Sequence, residues 1–245
     1  MRFPARWALA AALLATIPLV STRLAAAAGV DAAAHDAFWL WAGVAPQPVL
    51  ARARTLYILQ GQVDPPRRGG HGPARIIAQG IAVPRLRQGE VWLAYRAHTL
   101  RWPAEILPVI LSQARRWRQA GNPVVGIQID FDARTRHLQD YAAFLRDLRA
   151  KLPAEYRLSI TGLMDWGSNA SPDAINQLQG VVDEVVIQTY QGRHTIPNYR
   201  AYLPRIARLT LPFKIGLVQH GEWEAPEGLE DSPWFRGYVV FLLDP

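Results

Sequence analysis

Cysteine is absent from all 245 residues. That removes disulfides, thiolate metal sites and a cysteine nucleophile at once. Histidine is scarce, at six, and the six form no pair at metal-ligand spacing, so a metal-dependent deacetylase or hydrolase lacks its usual ligands. No metal or other cofactor is expected. Charge is thin at 19% of residues, and the basic ones are scattered without a dense run interleaved with aromatics. Nucleic acid is therefore not an expected partner. The run Arg115-Arg116-Trp117-Arg118 reads as a solvated helix face.

Only one uncharged, mainly apolar run approaches membrane length, from Trp7 to Val20, and it is too short to span comfortably. Arg2 and Arg6 precede it and Leu24-Ala25-Ala26-Ala27-Ala28 follows, the pattern of a secretory signal over residues 1–28. An uncleaved N-terminal anchor is the alternative, and the membrane is expected as a partner only through it. Either reading predicts export, to the periplasm or beyond. Removing Arg2, Arg6 and Arg23 takes the net charge from +7 to +4, which weakens any argument from a basic isoelectric point.

What is abundant is apolar residues, half of the chain, together with nine tryptophans. Residues 29–245 suffice for one large α/β domain. Most of the tryptophans are expected in the core, with two or three left for a cleft. Short β-rich runs alternate with amphipathic patterns. Eight strands are expected: Ala37 to Gly43, Thr55 to Gln62, Glu90 to Tyr95, Val124 to Asp130, Arg157 to Leu163, Glu184 to Tyr190, Phe213 to Val218 and Gly237 to Leu243. Continuous apolar stretches such as Val185-Val186-Ile187 suit parallel strands covered on both faces.

Helices are expected over Pro103 to Ala120 and over Arg136 to Leu152, the latter with Leu138, Tyr141, Ala142, Leu145 and Leu148 as its stripe. Others are expected after Ser171-Pro172 and from Tyr199 to about Leu209. The fold this predicts is a TIM-like (β/α)8 barrel, with a doubly wound sheet as competitor. Its second β/α unit is expected to be irregular. Asp64 to Gly72 reads as a loop, and Ile76 to Leu86 as a strand pair outside the barrel.

Working residues of such barrels lie at the carboxyl ends of strands. The fourth strand ends Gln128-Ile129-Asp130-Phe131-Asp132, and alternation puts Gln128, Asp130 and Asp132 on one face. Two such carboxylates cannot both ionise freely, so one is prepared as a proton donor for glycoside cleavage. Helix capping is a competing explanation for Asp132 but a poor one for Asp130, which lies inside the strand. A calcium loop fails, because Arg134 stands at the third ligand and the required glycine is missing.

After the fifth strand come Asp165 and Trp166, an acid beside a flat ring that serves as a sugar platform or as core. Gln188 and Tyr190 share a face at the end of the sixth. After the seventh, Glu222 is a candidate nucleophile or base opposite Asp132, with Trp223 as a second platform; a solvated loop acid is the competing reading of Glu222.

These strings, with Leu158-Ser159-Ile160-Thr161, Val182 to Tyr190 and Phe235 to Phe241, resemble the bacterial domain of unknown function 3142 along essentially the whole mature chain. That resemblance implies a barrel related to glycoside hydrolases without an established activity. A more distant similarity is to the family 18 glycoside hydrolases, the chitinase group. Their fourth strand carries alternating aspartates ending in an acidic glutamate, and their sixth ends in a tyrosine motif. Here Gln128 stands for an aspartate, Asp130 matches, Asp132 replaces the glutamate, and Thr189-Tyr190-Gln191 resembles the tyrosine motif with glutamine for its aspartate. An acid shorter by one methylene sits back from the bond it must protonate. Two functions follow: hydrolysis of an envelope or extracellular polysaccharide, with Asp132 as general acid, or a barrel that binds carbohydrate without cleaving it.

Overall fold

The computed structural model describes residues 28–41, 43–66, 72–80, 85–86, 89–133, 137–166 and 175–244. The leader, most of the loop at 64–72 and the start of the helix expected after Ser171-Pro172 lie outside the described residues.

Eight parallel strands close on themselves: β1 (Ala37–Leu40), β2 (Thr55–Asp64), β3 (Glu90–Ala97), β4 (Val124–Asp130), β5 (Arg157–Leu163), β6 (Glu184–Gln188), β7 (Phe213–Val218) and β8 (Phe235–Phe241). Each pairs with the next, and β8 returns to β1 through Val240↔Phe38 and Phe241↔Trp39. The predicted barrel is therefore present, and β4, β5 and β7 carry the expected bounds. Among the described residues two long helices cover it, α1 (Ile106–Gln119) after β3 and α2 (Leu138–Lys151) after β4. All five members of the expected α2 stripe are buried. The segment from Tyr199 to Leu209 is broken instead of continuous, a single turn at Tyr199–Ala201 and then α3 (Leu203–Ile206), with Pro204 inside it. In Arg115–Arg118 the expected solvated face is interrupted: Trp117 is fully buried, donating to Gln60, and Arg118 lies over the Tyr156 ring.

The irregularity expected around the second unit is real. Among the described residues of the β2–β3 connection, Arg75–Ala78 forms a strand antiparallel to Gly61–Asp64. It occupies the edge of β2 that β1 leaves open when their pairing stops at Leu40↔Ile58. The register between β2 and β3 also slips by one residue between Leu59 and Gly61, so that Gln62 stands beside Arg96. Gln60, at the slip, points outward to accept from Gln113 (2.6 Å) and Trp117 (2.8 Å).

The barrel is filled by side chains. Ala37, Trp39, Tyr57, Trp92, Val186 and Val239 form a cluster separate from the larger core under the helices. Glycines make room for its rings: a Cβ on Gly216 would lie 2.6 Å from the Trp39 ring, and one on Gly126 2.4 Å from that of Trp92. A polar chain threads between them. Trp39 Nε1 donates to Gln128 (2.7 Å), Gln128 Nε2 to Ser159 Oγ (2.9 Å), and Ser159 to Glu184 (2.9 Å). Glu184 also accepts from Tyr57 (2.5 Å) and pairs with Lys214 at 3.3 Å. The polar groups of this chain are tolerated because each is bonded, whereas Trp92 Nε1 beside them is buried without a hydrogen-bond partner among the described residues.

Gly126→Val drives a branched side chain into the Trp92 ring and is expected to cost about 1–3 kcal/mol. A thermal melt reads this as a drop of roughly 2–4 °C per kcal/mol, with no change in secondary structure.

Candidate functional site

Alternation along β4 leaves Gln128 deep in the barrel and lifts Asp130 and Asp132 towards its carboxyl end, where a pocket of about 690 Å³ opens. Trp41 and Arg96 line it together with Asp130, Asp132, Asp165, Gln188 and Tyr190. Phe241, Met164, Ile196 and Tyr202 supply apolar wall, and the hairpin of Tyr190–Gln191 and His194–Thr195 brings Arg193 to the rim. Five of the residues expected from sequence thus converge: Asp130, Asp132, Asp165, Gln188 and Tyr190.

The two aspartates differ sharply. Asp130 is 4% exposed and accepts from Thr161 Oγ1 at 2.8 Å, whereas the Asp132 side chain is 61% exposed. Arg96 spans them, with Nε 3.9 Å from Asp130 and an Nη 3.3 Å from Asp132, and its guanidinium lies 5.6 Å from the Trp41 ring centre. Burial raises the Asp130 carboxyl above the ordinary aspartate range, against the opposing pull of Arg96 and Thr161. Asp132 adds to the rise, but less than burial does. Repulsion within the pair is thus the lesser cause, where the sequence pattern had made it the main one. Burial, and then the charge of Asp130, hold the Tyr190 phenol protonated well above its usual range, and Gln188 hydrogen-bonds to it.

Four expected residues are placed elsewhere. Gln128 is fully buried and spends its amide on Trp39 and Ser159, so it is a strut of the core. Trp166 is 1% exposed, packs against Gly162 and donates to the Ala133 carbonyl at 2.6 Å. It is a core ring, not a platform. Glu222 and Trp223 pair antiparallel with Ala28–Gly29, which draws this segment away from the pocket. Glu222 is exposed there, and Trp223 stacks on Tyr199 at 5.0 Å. Neither lines the pocket.

Trp41 and Arg96 are among the lining residues that were not expected from sequence. Trp41 follows Ala37 and Trp39 at the two-residue spacing of the inner face, a signal present in the string. Arg96 fell just past Tyr95, where the expected third strand ended. Beside it, His98 Nδ1 meets Asp64 Oδ1 at 2.6 Å and Gln62 donates to Asp64 Oδ2 at 2.9 Å. Partial burial works against it, but bonds from His98 and Gln62 hold the Asp64 carboxyl below its usual range.

Part of the chain matches one family model, and most of it is similar in shape to several solved structures. The family model for Domain of unknown function (DUF3142) matches residues 100–201, which include Asp130, Asp132 and Tyr190 but neither Arg96 nor the closing string at 235–241. No curated protein sequence matches the chain. Among solved structures, the chain is similar to the spore cortex-lytic enzyme SleL of Bacillus cereus, at 16% identity and a TM-score of 0.46 over 74% of this chain. It spans only 49% of that protein. It is similar also to the chitinase domain of the spore coat protein CotE from Clostridium difficile (14% identity, TM-score 0.48, 84% of this chain and 70% of that one). A third is a xylanase-A-amylase inhibitor protein, XAIP-III (14% identity, TM-score 0.46, 84% of this chain and 91% of that one). The barrel itself rests on the strand pairing given above.

The raised Asp130 carboxyl fixes the sign of a pH effect. A buried acid whose proton affinity is higher folded than unfolded costs stability as pH rises past the unfolded value of about 4, and the cost is complete above the folded value. Asp130→Asn removes that cost. The variant is therefore expected to gain stability relative to the native chain as pH rises through this window, and urea titrations at several pH values measure the gap.

Proposed function

We propose that the pocket binds a glycan and hydrolyses a glycosidic bond within it, in a protein exported to the bacterial envelope or beyond it. The observation that carries this reading is the convergence of Asp130, Asp132 and Tyr190 with the ring of Trp41 in one open pocket at the carboxyl end of the barrel. Carboxyl groups supply the acid of glycoside cleavage, and a flat ring supports the apolar face of a sugar. Asp132, the more exposed of the pair, gives its proton to the glycosidic oxygen as general acid while water adds to the anomeric carbon, and the proton that water loses returns to the carboxyl pair. Asp130 behind it holds a proton more readily than an ordinary aspartate and tunes the pair. Tyr190 remains a neutral hydrogen-bond donor and orients the sugar. Trp41 takes the platform role expected of Trp166 or Trp223, and Gln188 and Asp165 offer partners for hydroxyl groups. With Glu222 remote, Asp165 is the further described carboxylate on the pocket wall.

The second reading is a barrel that binds carbohydrate without turnover. It is favoured by the short side chain of Asp132, which stands largely in solvent and already engages Arg96.

Assay of the purified chain on a glycan panel separates the two. Under the first reading Asp132→Asn lowers hydrolysis at least about 100-fold, as removal of a general acid does, while Glu222→Gln stays within about twofold of the native rate, the size of a remote surface change. Hydrolysis that survives Asp132→Asn defeats the assignment, and binding without turnover in the native chain selects the second reading. Under both readings Trp41→Ala weakens glycan binding by roughly 3- to 10-fold, the share of one aromatic contact. Calorimetric titration measures it.

A further inference from the structure

Arg96 takes no part in the chemistry given to Asp130, Asp132 and Tyr190, yet it is the described cation that touches both pocket aspartates. It lies on β3 in register with Asp130 on β4, so the two side chains emerge on the same face of neighbouring strands. Its fork then divides. Nε faces the buried carboxyl at 3.9 Å, and a terminal nitrogen faces the exposed one at 3.3 Å. The third side is closed by Trp41, whose ring lies 5.6 Å from the guanidinium carbon, and Phe241 braces that ring at 5.8 Å. A planar guanidinium backed by an aromatic face loses little freedom when it holds two acceptors, which a lysine ammonium does not reproduce.

Asp132 belongs to the segment beyond β4, and Arg96 supplies its ion pair. Its direction is thus set from β3. Resting on the glycan reading of this pocket, we propose that Arg96 is a positioning residue: its guanidinium, backed by Trp41, spans Asp130 and Asp132 and holds the exposed carboxylate over the buried one in the arrangement that acts on substrate. The other groups facing Asp130 are Thr161 on β5, Tyr141 on α2, Tyr190 after β6 and His98 after β3. Arg96 has a larger effect on Asp130 than His98 does.

The test uses the full chain with labelled aspartate carboxyls, titrated by NMR, with Asp130→Asn to assign the Asp130 signal. Arg96→Gln is expected to move the Asp130 midpoint upward by about one pH unit, the effect of losing one opposite charge. Arg96→Lys keeps the charge but not the fork. It is expected to recover at least half of that shift while glycan turnover, or binding if there is no turnover, stays about tenfold or more below native. An unmoved midpoint in Arg96→Gln overturns the proposal, as does native glycan handling by Arg96→Lys. Should Arg96→Gln fail to fold, the Arg96→Lys arm still decides. If no glycan is bound or turned over by the native chain, the glycan reading falls, and a native crystal structure compared with that of Arg96→Lys settles the positioning: an unmoved Asp132 carboxylate overturns it.

Discussion

Everything at the mouth of this barrel stands on the fit of large rings against bare backbone inside it. Trp39 lies on Gly216 and Trp92 on Gly126 at separations that leave no space for a β-carbon, and Tyr57 stacks on Trp92 with centroids 5.8 Å apart. Interiors packed this way neither drain nor flex easily. The barrel is plugged, so the pocket has a solid floor. Tyr190 contacts Trp39 edge-on at 6.3 Å, which couples a wall of the pocket to that floor. The polar chain from Trp39 to Lys214 then fixes the orientation of the Trp39 and Tyr57 rings, because Trp39 donates to Gln128 and Tyr57 to Glu184.

The strands were legible because their apolar content survives in any environment that buries both faces. The α2 stripe was legible for the matching reason, a spacing that only a helix uses. Placement of individual polar residues was much less so. Gln128 shares a face with Asp130, and alternation states the face without stating the depth. Two residues along a strand separate a core strut from a pocket wall. Trp166 and Trp223 were ambiguous because a ring after a strand folds either way, and the deciding facts are remote in sequence: the bare backbone of Gly162 in one case and the pairing of Glu222–Trp223 with Ala28–Gly29 in the other. Arg96 was hidden by a strand drawn two residues short, at Tyr95 instead of Ala97.

The pocket sets two demands on Asp130 that pull apart. Shelter from water favours its neutral form, and the nearby guanidinium favours its charged form. Shelter prevails, but by a margin that Arg96 narrows. A carboxyl balanced in this way is sensitive to anything that displaces the cation, including an occupant of the pocket that competes for it.

The slipped register in β2 has a wider effect than its single residue suggests. Beyond Gln60, every side chain of β2 faces opposite to where the earlier alternation would send it. Val63 joins the core under the helices, while Gln62 and Asp64 come level with Arg96 and His98. Without the slip, Gly61 and Val63 would stand at the mouth, and the rim on that side would be bare and oily. The polarity of one whole quadrant of the opening is thus written in a counting offset of the backbone, and loss of one residue there would rewrite it with no change in the side chains that follow.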